Sequence, residues 1–320
     1  MNYEPKSLQE AILYFSNPDN CIDYLAVRRW PDGVVTCPGC GSTKVNFSAK
    51  RRTWTCSSHH FRREFSIKVG SLCEDSPIGL DKWLTAMWLL SNCKNGISSC
   101  EIAKDVRVTQ KTAWFMMHRI RLALQDEFFG KLNGEVEVDE TFIGGKARNM
   151  HLDKRERRIT GTGGKDKTIV FGALERGGKV RTMVVADRKK GGLHARVKEH
   201  VEAGAALYSD ALKSYDGLTQ DYAHKVIDHA EKYVDGKVHT NGLENFWSLL
   251  KRGIAGTYVS VEPFHLFRYL DEQVFRYNHR ATKENKITDA DRFSMVVSNL
   301  FGKRLTFASL TGKTADATPF

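Results

Sequence analysis

The sequence predicts a mixed α/β fold: a mixed sheet flanked by helices, preceded by a small cysteine-rich module and a three-helix segment. Three observations carry this. Residues 134–260 take up β-type patterning and then alternate strand with helix. Residues 77–125 carry apolar side chains at helical spacing behind capping residues. Residues 37–66 hold a Cys-x-x-Cys pair but no apolar stripe. At 320 residues the chain has room for about two domains, or one domain with appendages. A chain of this size buries about three quarters of its unfolded surface, so it needs no disulfides.

The elements follow in order. Leu8, Ala11, Ile12 and Phe15 fall at helical spacing, and Cys21, Tyr24, Leu25 and Val27 repeat it. Trp30-Pro31-Asp32-Gly33 then stops and turns the chain, closing an N-terminal helical segment over 1–36. Residues 37–70 offer short β-like pieces at 44–47 and 53–55 and little apolar material, so something besides hydrophobic burial must hold them. Over 77–127, Asp81 is placed to cap the helix of Trp83, Leu84, Met87, Trp88 and Leu90. Ser98-Ser99-Cys100-Glu101 has the capping-box pattern ahead of Ile102, Ala103 and Val106. Thr109 caps a third helix carrying Ala113, Trp114, Met117 and Ile120. Short helix, turn and longer helix is the helix-turn-helix layout. Over 134–280, Val136 and Val138 alternate with Glu135, Glu137 and Asp139. Further strands are expected at 168–174, 180–186 and 205–208, with helices near 193–203, 211–217 and 242–251. Residues 264–278 and 288–301 read as closing amphipathic helices, and 281–320 as a C-terminal helix and tail.

Lys and Arg number 49 against 38 Asp and Glu, a net charge of +11, and the pI is near 9.3. That balance points to a polyanionic partner, nucleic acid ahead of an anionic membrane. No stretch approaches the roughly 18 apolar residues of a spanning helix; residues 83–90 are interrupted by Thr85 and end at Ser91. Met1-Asn2-Tyr3-Glu4-Pro5 has no basic region leading into an apolar core, so a secretory signal is not expected and the cytoplasm is. There, seven cysteines suggest metal ligands or buried thiols.

Cys37-Pro38-Gly39-Cys40-Gly41 is a knuckle whose two thiolates can face one tetrahedral ion, and Cys56 follows at the spacing of a second knuckle. The fourth ligand is His59 or His60, and three thiolates with one imidazole suit Zn²⁺. Cys21, Cys73, Cys93 and Cys100 read as buried thiols. On the third helix, Gln110, Lys111, Thr112, His118, Arg119 and Arg121 form a polar face that can meet phosphates and base edges, or simply solvent.

Among the acids, position matters. Asp139 lies in an alternating strand before Thr141-Phe142-Ile143-Gly144-Gly145, and Asp210 follows an apolar strand. As a helix, 241–251 puts Leu243, Phe246, Trp247 and Leu250 on a core stripe and Asn241, Glu244, Ser248 and Lys251 on a polar face. Such carboxylates can converge on divalent cations for phosphodiester chemistry. Asn241 and Glu244 can equally form a capping box, and Asp210 a turn.

The chain closely resembles a bacterial insertion-sequence transposase family with an N-terminal zinc ribbon and an RNase H-like DDE catalytic domain. The matching stretches span nearly its whole length. They include Arg29-Trp30-Pro31-Asp32-Gly33 leading into Cys37-Pro38-Gly39-Cys40, Phe65-Ser66-Ile67-Lys68-Val69-Gly70, and Glu74-Asp75-Ser76-Pro77. Val108-Thr109-Gln110-Lys111-Thr112-Ala113-Trp114, Val138-Asp139-Glu140-Thr141-Phe142-Ile143-Gly144-Gly145 and Tyr208-Ser209-Asp210 also match. So do His239-Thr240-Asn241-x-x-Glu244 and Phe267-Arg268-Tyr269-Leu270-Asp271-Glu272.

The resemblance implies a catalytic triad of Asp139, Asp210 and Glu244 holding two Mg²⁺ or Mn²⁺ ions, and a phosphate contact by Lys251. It implies a structural Zn²⁺ on Cys37, Cys40, Cys56 and, by analogy with variants of the second knuckle, His60. It further implies binding to terminal inverted repeats in double-stranded DNA and hydrolysis at each transposon end. The freed 3′-hydroxyl then joins to target DNA within a homodimer or larger assembly. A nucleoid-associated bacterial protein without membrane partners is the corresponding setting. Residues 146–167 carry eight basic and three acidic residues, Lys154, Arg155, Arg157 and Arg158 among the basic ones, and read as a basic arm that contacts DNA or as a solvated loop. The rival readings are a catalytically silent DNA-binding regulator and an RNase H-like nuclease without strand transfer.

Overall fold

The computed structural model describes residues 3–125, 130–145, 150–159, 166–210, 212–227 and 239–313; the side chains of Lys154 and Arg158 fall outside that set. The chain forms two compact units, one of residues 1–125 with 279–318 and the other mainly of 126–278.

In the first unit, α1 (Leu8–Phe15) starts at Ser7, whose hydroxyl accepts from the Glu10 N–H, and α2 (Pro18–Arg29) starts at Asn17 with Pro18 in its first turn. Strands β1 (Val45–Ser48), β2 (Thr53–Cys56) and β3 (Glu64–Phe65) form a small antiparallel sheet in that order. Three helices follow, α3 (Leu80–Asn92), α4 (Ser99–Asp105) and α5 (Gln110–Ala123). The Ser98–Glu101 capping box and the Thr109 cap form as the sequence predicts. The cap of α3 does not: Gly79 occupies that position without a side-chain bond, and Asp81 lies inside the first turn.

Among the described residues the second unit has five strands and four α-helices: β4 (Glu135–Ile143), α6 (Leu152–Arg158), β5 (Thr168–Glu175), β6 (Val180–Val185), α7 (Lys190–His200), β7 (Ala206–Asp210), β8 (Ala223–Ile227), α8 (Asn241–Gly253) and α9 (Leu266–Asn278). The sheet order is β6-β5-β4-β7-β8. β5 pairs antiparallel with β4 and β6, while β7 pairs parallel with β4 and β8. One face buries Val136, Val138, Phe171, Ala173 and Leu207 against Leu193 and Val197 of α7. The other buries Val170 and Leu174 under Leu243, Phe246, Trp247 and Leu250 of α8 and Leu266 and Leu270 of α9. This mixed sheet with helices on both faces is the RNase H-like arrangement. Two details depart from the sequence reading. Over the described residues 212–217 the structure has only a short 3-10 turn at Lys213–Tyr215, and β8 lies outside the strands the sequence predicts.

The chain then returns to the first unit through α10 (Asp289–Ser298) and α11 (Phe307–Leu310). Phe293 of α10 is fully buried among Phe15, Tyr24 and Trp88, with ring centroids 5.0–5.9 Å away. Among the described residues no helix is long and apolar enough to cross a membrane.

Candidate active site and metal centre

Asp139 lies in β4, the central strand. Glu137 of β4 stands opposite Tyr208 of parallel β7. Two residues on, side-chain alternation brings Asp139 and Asp210 to the same face, that of Trp247 and α8. Burial of the Leu243, Phe246, Trp247 and Leu250 stripe turns Asn241, Glu244, Ser248 and Lys251 to the polar side of α8. Glu244 is half-buried there, and Lys251 is exposed two turns further along.

The helix N-cap is Thr240, with no side-chain cap bond, so Asn241 and Glu244 form no capping box. Asp210 does close a turn, its Oδ1 accepting from the Leu212 N–H at 3.2 Å.

Trp247 donates its Nε1–H to Asp139 Oδ2 at 3.0 Å. Gly172, opposite Asp139 on β5, makes room for the indole: a Cβ there would stand 2.5 Å from the Trp247 ring. Gly172→Ala is therefore expected to displace the indole and cost about 1–3 kcal/mol. A thermal melt identical to wild type would refute that packing.

Burial pushes the Asp139 carboxyl up to about 6. The Asp210 carboxylate adds to this, and Glu244 does so more weakly, against hydrogen bonds from the Glu140 N–H and Trp247. Burial also pushes Glu140 up to about 7, although the Tyr215 hydroxyl donates to it. Gathering carboxylates on one face disfavours their charged state, and a divalent cation reverses that cost. Hard carboxylate oxygens suit Mg²⁺ or Mn²⁺, so the donor set fits such ions.

In the first unit the ligand atoms of Cys37, Cys40, Cys56 and His60 all lie within 4.8 Å of one another, the one such group among the described residues. Cys37 Sγ is 3.4 Å from His60 Nε2, and Cys40 Sγ is 3.7 Å from Cys56 Sγ. His60, not His59, joins the cysteines. Its Nδ1 lies 2.8 Å from the Phe61 carbonyl, which orients the ring with Nε2 inward. The knuckle needs its glycine: Gly41 has φ +72°, a conformation that disfavours side chains. Burial opposes the Cys56 thiolate, but hydrogen bonds from His60, the Ser58 backbone and Cys40 bring the thiol down to about 6, favouring the ligand form. The segment also has more core than its composition suggests. Trp54 and Phe65 are buried in an aromatic group with Trp30 and Phe47. Of the other thiols, Cys21 and Cys73 are buried, Cys93 is half-buried, and Cys100 is exposed, contrary to expectation.

On α5, Gln110 and Lys111 are exposed and Thr112 is half-buried. Gln110 donates to Ser99 Oγ at 2.7 Å, and Thr112 Oγ1 lies 2.8 Å from Thr109 Oγ1. Arg119 must be corrected. It is 8% exposed and donates to the Leu72, Glu74 and Leu305 carbonyls at 2.8–3.0 Å, so it ties the unit together rather than facing DNA. His118 and Arg121 are buried as well. The returning residues 299–305 pack against this half of α5, a long-range contact that helical periodicity cannot reveal. Of the basic segment, α6 is described and presents Arg155 and Arg157 to solvent. Lys146, Arg148 and Lys165, with the side chains of Lys154 and Arg158, lie outside the described residues.

Comparison with known proteins agrees with this architecture. The transposase zinc-ribbon domain matches residues 16–58, and the ISXO2-like transposase domain, a DDE type, matches 131–278. An uncharacterised protein in transposable element ISH50 of Halobacterium salinarum is 27% identical over 255 residues, covering 75% of this chain and 84% of that protein. An uncharacterised transposase-like protein of Haemophilus influenzae is 29% identical over 106 residues, covering 33% of this chain and 85% of that one. With a Cys₃His ribbon and a mixed-sheet DDE domain in one polypeptide, the chain belongs to the insertion-sequence transposase family that combines these two domains.

Proposed function

We propose that the protein is a DNA transposase that binds the terminal inverted repeats of its insertion sequence, cleaves the ends by metal-dependent hydrolysis and joins the 3′-hydroxyl to target DNA. One observation carries the reading: Asp139 and Asp210 stand on adjacent strands of one sheet face, and α8 adds Glu244 to that face. These three carboxylates would hold two Mg²⁺ or Mn²⁺ ions. When bound, the ions activate the attacking water or hydroxyl and steady the leaving oxygen. The chain itself supplies position: the indole of Trp247 orients Asp139, and α8 carries Glu244 on a buried stripe.

Cys37, Cys40, Cys56 and His60 would hold a structural Zn²⁺ in a ribbon of about residues 37–70. Gln110, Lys111 and Thr112 of the 77–127 segment, with Lys154, Arg155, Arg157 and Arg158, would contact the duplex, making the +11 chain's partner double-stranded DNA. The catalytic domain is then 134–280. Pairing two ends at one target requires at least a dimer during the reaction.

Lys251 lies seven residues beyond Glu244, on the same side of α8, and would meet a phosphate near the reacting end. Lys251→Ala should weaken end binding and flatten its salt dependence by about one unit of slope. An unchanged slope would take Lys251 out of the interface.

The function is tested with a supercoiled plasmid carrying the gene's flanking DNA, purified protein and Mg²⁺ or Mn²⁺. Cleavage and joining by wild type, lost in Asp139→Asn and Glu244→Gln, is the expected result. Binding without cleavage would make the protein a silent regulator, and cleavage without joining a nuclease.

A further inference from the structure

Glu137 is 1% exposed, on the same strand and face as Asp139 and two residues before it. Its Oε2 accepts from the Leu243 N–H at 3.0 Å, so a strand carboxylate holds the first turn of α8 where Thr240 supplies no cap. Its Oε1 accepts from Arg176 Nε at 2.9 Å and lies 3.4 Å from His239 Nδ1. The approach is close enough that a Cβ at Gly242 would stand 2.8 Å from Glu137 Oε2.

Arg176 extends the connection. It donates to the His239 carbonyl at 2.6 Å, and its guanidinium lies 4.1 Å from the ring centroid of Tyr208 on β7. The Tyr208 hydroxyl in turn donates to Glu135 of β4 at 3.1 Å. One ion pair, its carboxylate buried and its guanidinium half-buried, therefore touches the strand of Asp139, the strand of Asp210 and the start of the helix that carries Glu244. A helix needs no such grip merely to pack, because the Leu243, Phe246, Trp247 and Leu250 stripe already seats α8 on the sheet. The additional bonds constrain how far the first turn stands from β4 and β7.

We propose that Glu137, clamped by Arg176, is a positioning residue that sets the spacing of the three carboxylates for divalent-cation binding. The inference rests on the reading of Asp139, Asp210 and Glu244 as metal ligands. Glu137 itself acts through α8 and does not touch the reacting atoms.

The test uses the zinc-loaded full chain and measures Mn²⁺ binding by titration calorimetry in wild type, Glu137→Gln, Arg176→Lys and Asp139→Asn. Far-UV circular dichroism checks that each is folded. Partners of metal ligands are worth about 10–100-fold in metal affinity, so Glu137→Gln and Arg176→Lys should weaken Mn²⁺ binding by that factor with an unchanged spectrum. Cleavage should recover as Mn²⁺ is raised, because the ligands themselves are intact. If Asp139→Asn abolishes Mn²⁺ binding while a folded Glu137→Gln binds like wild type, the positioning role is overturned and the metal site stands. If Asp139→Asn also binds like wild type, the metal site itself falls. Should Glu137→Gln fail to fold, Arg176→Lys decides: it keeps the charge but loses the planar fork that reaches both Glu137 and the His239 carbonyl. Wild-type affinity in that variant overturns the proposal.

Discussion

Asp139→Asn is expected to abolish cleavage and at the same time to stabilise the protein when no Mg²⁺ or Mn²⁺ is present. The first effect follows from its proposed role as a ligand. If even the hydrogen-bond partner of a ligand is worth about 10–100-fold, the ligand itself should cost more than about 100-fold in rate. DNA binding should survive, because no cation facing the duplex is removed. The second effect follows from the raised carboxyl. Folding moves Asp139 from the ordinary value of 3.8 up to about 6. Its contribution to stability is therefore fully present below about pH 4 and is lost as pH rises through 6. Asn stays neutral throughout, so at pH 7 it avoids a cost of at most about 3 kcal/mol. For a unit of this size that is a melting temperature higher by several degrees. At pH 4 the two proteins should melt together. Excess Mg²⁺ should reverse the order at pH 7, since only wild type gains from binding. Differential scanning fluorimetry at both pH values, with and without Mg²⁺, checks each part. A variant less stable than wild type at pH 7 without Mg²⁺ would refute the charge crowding, and retained cleavage would refute the ligand role.

Removing zinc, or replacing Cys37 by Ser, should abolish recognition of the terminal repeats while metal-dependent nicking of nonspecific DNA persists. Structural zinc sites contribute on the order of 10 kcal/mol to folding, far more than a three-stranded sheet of four, four and two residues gains from its own pairing. The aromatic group around Trp54 should come apart with the knuckles. The expected readouts are a red shift in tryptophan emission and a loss of specific gel shift. Unchanged specific binding would mean that the ribbon does not read the ends. An unshifted emission would mean that Trp30, Trp54 and Phe65 hold the module without metal.

Sequence patterning reached the second unit well because its signals are local. Val136 and Val138 alternate with acids on one strand, and Leu243, Phe246, Trp247 and Leu250 recur at helical spacing; both sets are buried in the structure. Capping residues marked the starts of α4 and α5. The failures arise where distant segments decide. Arg119 looks like part of a solvent face until the Leu305 carbonyl accepts its guanidinium, and His118 of the same run is buried as well. β8 is a short edge strand whose Ala-His-Lys-Val-Ile run has no strong alternation. In the sequence Glu137 is only one of the polar residues alternating with Val136 and Val138. The period of two already put it on the face of Asp139, but only the arrival of α8 reveals what it holds.

The return of residues 279–313 to the first unit has a consequence during translation. Phe293 completes an aromatic core with Phe15, Tyr24 and Trp88, and Leu305 accepts a bond from Arg119. A nascent chain that has emerged only as far as residue 278 holds every residue of the sheet unit's described elements but an unfinished first unit. The DNA-contacting surface proposed for this unit would be complete only after about residue 310 has emerged. Premature termination late in the message would thus yield the sheet unit with an unfinished first unit, rather than a free first unit.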